Sequence, residues 1–436
     1  MSWEKRKLGE LCSITKGKIG INKATPGEYP LVVTSEERKS HNEFHFEGEA
    51  VVIPLVSSTG HGHRSLKRIH YQTGKFAVGS ILCAVIPNDS KILNAEYLYR
   101  FLDLNREKEL VSRMRGMANV TLPMKEIANI EVPLPPLEEQ IKFVAEYKKL
   151  ETANNTLSEE ITNQLDLVKQ LRQAFLREAV QGKLVEQSPN DESALELLAK
   201  IKAEKEQLIR AKKIKKQKPL PLIKEEEIPY EIPKNWVWCR LGLPIFYAEN
   251  LDIQKKLSAD TIINYVDIDC IDNSKQLIRE VKPSRVSELS TRARRILKKG
   301  FIVYSTVRPY LRNIAIIENE LPKMIGTTGF NVFKPILVNT KYIFYFLLNP
   351  DLNTEFEEMM IGFNSPSITN VQFENTLLPL PPLSEQKRIV TKLDELMAYC
   401  DSLDESIKNS QTQNEMLLGQ VLREALEPEG NIIPQN

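Results

Sequence analysis

This chain has little of what a catalyst or a membrane protein needs. Its five cysteines, Cys12, Cys83, Cys239, Cys270 and Cys400, are scattered, odd in number and never spaced C-x-x-C. That argues against a disulfide framework and a cysteine zinc site, and fits a reducing, cytoplasmic compartment. All five histidines fall within residues 41–70 (His41, His45, His61, His63, His70) without an H-E-x-x-H pattern, so no metal site is expected. The phosphate loop G-x-x-x-x-G-K-[ST], the G-x-G-x-x-G fingerprint and the G-x-S-x-G elbow are all missing, and no catalytic residue is assigned. No apolar run approaches the roughly 18 residues of a membrane span; the strongest, Tyr342–Leu348, has the length of a strand or a buried helix. The N-terminal MSWEKRKLGE lacks the apolar core of a secretory signal. A net charge of +1 gives no whole-chain attraction to nucleic acid, so any such role must rest on where the charges sit. The 42% hydrophobic and 27% charged residues are enough for real cores in a soluble protein.

What the chain does have is a copy of itself. Residues 132–140 read VPLPPLEEQ and residues 378–386 read LPLPPLSEQ. The same offset of 246 carries Leu176-Arg177-Glu178-Ala179 onto Leu422-Arg423-Glu424-Ala425. Upstream, Trp3-x4-Leu8-Gly9 recurs as Trp236-x4-Leu241-Gly242. The repeating unit is far longer than a solenoid repeat, so a whole domain followed by a long helix has been duplicated. The copies agree at their ends, with Gly116 against Gly362 and Glu96–Leu102 against Lys341–Leu347, while segments 17–75 and 250–325 resist alignment. A constant frame with divergent middles suggests two modules doing one kind of job on different targets.

Pro135 and Pro136 end an extended stretch, and Glu138 and Glu139 favour the positive end of the helix that follows. No Pro or Gly interrupts 137–181, and Gly182 closes the helix. Near-heptad spacing marks a seam at Leu150, Leu157, Ile161, Val168 and Leu171, answered in the second copy by Leu396, Leu403, Ile407 and Leu417. Polar breaks fall at Asn154/Cys400, Gln164/Ser410 and Asn414. Helices this long exceed ordinary surface helices and are expected to pair antiparallel as a spacer. Shorter helices are expected over Ala95–Glu109 and Ala194–Lys216, with a Pro-rich linker after the second. The fold class is α+β: globular regions at 1–132 and 236–378, a central helical region with linker at 133–235, and a distal helical region at 379–436.

Two basic clusters lie in the divergent middles. Arg285, Arg292, Arg294, Arg295, Lys298, Lys299, Arg308 and Arg312 face a single acid, Glu288, and run into Ser305, Thr306 and Tyr310. In the first copy, residues 57–70 hold Ser57, Ser58, Thr59, His61, His63, Arg64, Lys67 and Arg68 with no acid. Arginine bonds guanine bidentately, and hydroxyls bond phosphates and base edges, so these residues are the candidate DNA contacts. A coiled-coil scaffold with two protein-binding heads is the alternative, and it predicts basic clusters scattered over unrelated faces.

The duplicated PLPPLxEQ helix, the LREA-x-x-GKL stretch at 176–184, the IKKQKPLP stretch at 214–221 and the Trp-x4-Leu-Gly openings together resemble the specificity subunit of type I restriction–modification systems. The resemblance covers essentially the whole chain. It implies a non-catalytic subunit in which each globular domain reads one half of a split, asymmetric double-stranded DNA site while the helices set the gap. It also implies two modification (methyltransferase) subunits bringing S-adenosylmethionine, and restriction subunits bringing ATP and Mg, with no cofactor on this chain and no membrane partner. In this resemblance nothing in the second copy matches 183–235, so the repeat is incomplete.

Overall fold

The computed structural model describes residues 3–59 and 62–426, without the side chains of 422–426. It divides into two compact units. One runs to Asn163 and includes the second long helix from Ile407; the other is Gln164–Ser406.

Each unit carries two four-stranded sheets of the same strand order. In the first unit one sheet runs Cys12–Lys16, Leu82–Pro87, Ala50–Pro54, His70–Gln72, and the other Lys39–His41, Tyr29–Val32, Lys75–Val78, Phe46–Glu47. In the second unit the sheets run Ile245–Tyr247, Phe330–Pro335, Ile302–Ser305, Ile314–Ile316 and Lys282–Arg285, Ile262–Val266, Met324–Thr327, Ala293–Ile296. Both second sheets contain one parallel pair at the matching place. The middles that do not align in sequence are therefore the same fold.

The central strand explains why its sequence is apolar throughout. In Ala50–Pro54, Val51 and Ile53 enter the core shared with the helix Ala95–Leu104, while Ala50 and Val52 enter the core shared with the other sheet. A strand covered on both faces needs a continuous apolar run rather than alternation. Ile302 and Tyr304 face one core of the second unit, and Val303 the other.

The repeated motif is a joint. Gln140 is buried and donates Nε2–H to the carbonyls of Ile92 and Pro135 at 2.9 and 2.8 Å, while its Oε1 accepts the Asn94 amide at 2.8 Å. Gln386 repeats this with the Pro381 carbonyl at 2.9 Å and the Asn339 amide at 2.9 Å. Asn94 and Asn339 cap the helices that follow, accepting from Tyr97 and Tyr342 amides. The hydroxyls of Tyr97 and Tyr342 then donate to the carbonyls of Pro133 and Pro379 at 3.0 and 2.6 Å. Each link satisfies a buried polar group, which is why these residue types recur.

The long helices are Leu137–Val180 and Leu383–Leu426. Inside each unit their segments run antiparallel. In the first unit Asn414 donates to Asn154 at 2.8 Å, and Leu150 and Leu418 pack on one core. In the second, Arg172 pairs with Asp401 at 2.7 Å and Asp404 at 3.3 Å, and Leu176, Ala179 and Val180 share a core with Ile389, Val390 and Leu393. Ile161 and Val168 are buried, and Leu150, Leu171, Leu396, Leu403 and Ile407 are half-buried. Leu157 and Leu417, expected at the seam, are 43% and 60% exposed, and Leu418 takes the inward place beside Leu417. A helix of 3.6 residues per turn drifts about 20° per heptad, so a strict seven-residue reading slides off the contact over this length.

Two shorter helices also end earlier than their sequences suggest. Ala95–Leu104 stops at Asn105 (φ −102, ψ 22) before a separate turn at Arg106–Glu109. Ala194–Arg210 is closed by Lys212 in the left-handed region (φ 54), with the Lys213 amide returning to the Leu208 carbonyl. Among the described residues, no helix is long and apolar enough to cross a membrane.

Candidate nucleic-acid interface

The first basic cluster and the end of the second, Arg308 and Arg312, sit on the same connection of the two copies. Residues 55–69 join Ala50–Pro54 to His70–Gln72, and residues 306–313 join Ile302–Ser305 to Ile314–Ile316. The anchoring is repeated as well. Val56 bridges Thr121 and the Ser57 amide bonds the Val120 carbonyl; Val307 bridges Ser367 and the Arg308 amide bonds the Pro366 carbonyl. Leu55 and Thr306 likewise donate to the carbonyls of Ile81 and Gly329.

In the first copy the loop folds back on its own hydroxyls. Ser57 Oγ donates to the His63 carbonyl at 2.6 Å, and Ser58 Oγ accepts the Lys67 amide at 2.9 Å. Both serines, expected to touch DNA, thus have structural work in holding the turn. Thr59, His63, Arg64 and Lys67 are left exposed, and Arg68 pairs with Glu36 at 3.0 Å. His61 lies outside the described residues. His41 and His70 are buried: His41 Nδ1 meets the Thr25 carbonyl, and His70 Nδ1 accepts from Arg38 at 3.2 Å. Burial, with Arg38 and Arg68 nearby, pushes the His70 imidazole down to about 4, so it is neutral near pH 7.

In the second copy the loop is shorter and strained. Pro309–Leu311 is a single 3-10 turn flanked by Arg308 (φ 48, ψ 60) and Arg312 (φ 53, ψ 42). Two non-glycine residues in the left-handed region within five positions cost on the order of 1–3 kcal/mol each, and such strain concentrates at functional sites. Arg308 is exposed, and its Nη2–H donates to the Asn364 carbonyl at 3.2 Å. Arg312 is half-buried, and burial lowers its pKa against the opposing pull of Glu357. Tyr310 is exposed. Ser305 is buried with its hydroxyl on the Val307 carbonyl, and Thr306 donates to the Gly329 carbonyl, so the strand end and the loop root are internal.

The other arginines stand on a different strand. Arg294 and Arg295 lie on Ala293–Ile296, at the edge of the second sheet, just after Arg292. The turn at 328–329 joins the two sets, because Thr328 donates to the Arg292 carbonyl and Gly329 accepts from Thr306. Arg294 bonds the Thr291 carbonyl at 2.7 Å, and Arg295 bonds Asn250 at 3.1 Å with its pKa lowered by burial. Arg292 is exposed.

A partner element of each loop went unread in the sequence. Arg115 and Thr121 exchange backbone hydrogen bonds, as do Ile361 and Ser367, so residues 116–120 and 362–366 are matching hairpin tips. Their glycines, Gly116 (φ 111) and Gly362 (φ 105), are the signal that could have found them, since both glycines recur at the repeat offset.

A family model described as "Type I restriction modification DNA specificity domain" matches residues 1–167 and 247–412. The type I restriction enzyme EcoAI specificity subunit of Escherichia coli is 30% identical over 398 residues, 77% of this chain and 65% of that protein. The EcoEI specificity subunit of Escherichia coli is 34% identical over 271 residues, 58% of this chain and 43% of its own length. The chain thus spans less than two thirds of either relative. The Escherichia coli EcoDI specificity subunit is 26% identical over 98% of this chain and 89% of its own length. Among solved structures, a chain from work on complex assembly and conformational transition of the type I R-M system superposes with TM-score 0.65 at 17% identity, covering 98% of both chains. The HsdS subunit from Thermoanaerobacter tengcongensis gives 0.53 at 17% identity, covering 98% of this chain and 97% of that one.

Proposed function

The chain belongs to the family of type I restriction modification DNA specificity domains, and from that membership we propose that it is the non-catalytic DNA-reading subunit of a type I restriction–modification complex. Each unit reads one half of a bipartite, asymmetric site in double-stranded DNA, through the loop at 55–69 in the first and 306–313 in the second. The paired long helices set the spacing and receive two modification subunits, which supply S-adenosylmethionine. Restriction subunits, using ATP and Mg, join that core in the cytoplasm. The observation that carries this reading is that the first basic cluster and Arg308 and Arg312 of the second occupy the same connection of the same fold, anchored by the same backbone bonds. The scaffold alternative expects no such coincidence.

The test is DNA binding by the full chain with its modification subunits. Arg308→Ala removes an exposed guanidinium, and a lost base contact weakens the second half-site by about 1–3 kcal/mol. Arg64→Ala acts on the first half-site only. Affinity and salt dependence unchanged in both variants would favour the scaffold.

A further inference from the structure

The tips of the two matching hairpins each carry one large apolar side chain in open solvent. Met117 is 92% exposed and Phe363 is 101% exposed. A single exposed hydrophobic residue is ordinary on a protein surface. Two at the same place in both copies, at the repeat offset of 246, are not explained that way, because the surrounding tips differ: Gly-Met-Ala-Asn-Val at 116–120 and Gly-Phe-Asn-Ser-Pro at 362–366. Neither side chain serves a core, since the buried neighbours are Leu122 and Ile368 at the hairpin roots.

Each tip is also locked against its basic loop. A Cβ on Gly62 (φ 82) would stand 2.2 Å from the Met117 carbonyl oxygen, so only glycine lets loop and tip approach this closely. In the second copy Arg308 bonds the Asn364 carbonyl, one residue beyond Phe363. The apolar group is thereby held beside the cations. Gly116 enforces the tight turn that projects it, because a Cβ there would meet the Asn119 carbonyl oxygen at 2.3 Å.

A fixed apolar knob beside cations suits a duplex, whose phosphates meet the cations and whose stacked bases accept Met or Phe as a wedge. Resting on the DNA-reading function above, we propose that Met117 and Phe363 are apolar DNA contacts, one per half-site, that enter the base stack beside the basic loop. A protein groove would also accept an apolar knob, but it gives no reason for the cations.

The experiment uses the full chain with its modification subunits and a duplex carrying its methylated site, with 2-aminopurine placed in turn along each half-site. The wild type raises the fluorescence at one step per half-site. Phe363→Ala loses at least tenfold in affinity and abolishes the signal in the second half-site alone; Met117→Ala does so in the first; Phe363→Leu keeps most of both. Both positions are solvent-exposed, so thermal unfolding stays at the wild-type value. Alanine variants that bind within twofold and keep the fluorescence profile would overturn the proposal. So would variants that lose modification subunits while the chain's DNA affinity is unchanged, which would make the tips protein contacts. A wild-type complex that binds no duplex would sink the DNA-reading function itself.

Discussion

Glu139 and Glu385 occupy the same position of the repeated motif and have opposite surroundings. Glu139 is exposed. Glu385 is fully buried and accepts Trp236 Nε1–H at 2.9 Å and Gln187 Nε2–H at 2.6 Å, and burial raises its pKa against those bonds. Beside it, Asp191 holds Arg388 at 2.6 Å and is kept well ionised by that bond. Gln187 and Asp191 come from the stretch 183–235, which lies between the copies and packs on the second. One glutamine further on, Gln140 and Gln386 bond alike. Duplication therefore preserves what a residue does inside its own unit, and loses what depends on chain laid over it from outside.

The largest expected effect comes from the helix seam. Val168 is buried in the second unit, and its repeat counterpart Asn414 bonds Asn154 in the first. Val168→Asp buries a charge without a partner and should cost about 3–5 kcal/mol in urea unfolding. Asn414→Asp keeps an acceptor that the Asn154 amide can rotate to meet, and should cost about 1 kcal/mol or less. Equal losses would mean that the two seams are not distinct.

Next comes the glutamate pair. Glu385→Ala leaves the buried Trp236 indole N–H without its acceptor, a loss of about 1–3 kcal/mol, while Glu139→Ala should leave the melting temperature unchanged. A matching loss at Glu139 would show that something covers it as 183–235 covers Glu385.

The smallest effect is a pH dependence of one unit alone. His70 pairs across from Val52, and the matching partner of Val303 is Ala315. The folded imidazole titrates near 4 and the unfolded one near 6.5, so between these values the unfolded chain binds the extra proton. Stability is full above about 6.5 and falls as pH drops toward 4, by about 1 kcal/mol at pH 5.5. Hydrogen exchange at pH 7 and pH 5.5 should show the loss in strands around Val52 but not around Val303, and His70→Gln should flatten it. A slope that survives the substitution would assign it elsewhere.

The duplication, the α+β class and the antiparallel pairing were legible because a motif repeated at a fixed offset records its own constraints. PLPPLxEQ keeps Gln140 and Gln386 since each closes a buried hydrogen-bond set. Other features had no local signal. Ser57, Ser58, Ser305 and Thr306 read as free hydroxyls until their backbone partners, distant or around a turn, are known. Leu157 and Leu417 fit a heptad whose phase slips along a real helix. The left-handed turns at Arg308, Arg312 and Lys212 fall on residues with no intrinsic preference for them. Met117 and Phe363 are single apolar residues in polar tips and show no period.

The central claim is that two copies of one fold read two separate half-sites through divergent loops on a common frame. Exchanging residues 1–132 for the first domain of another family member, then sequencing the methylome of cells carrying the chimera with its partner subunits, tests it most directly. One half-site should change, with the other kept base for base. A site altered in both halves, or in neither, would contradict it.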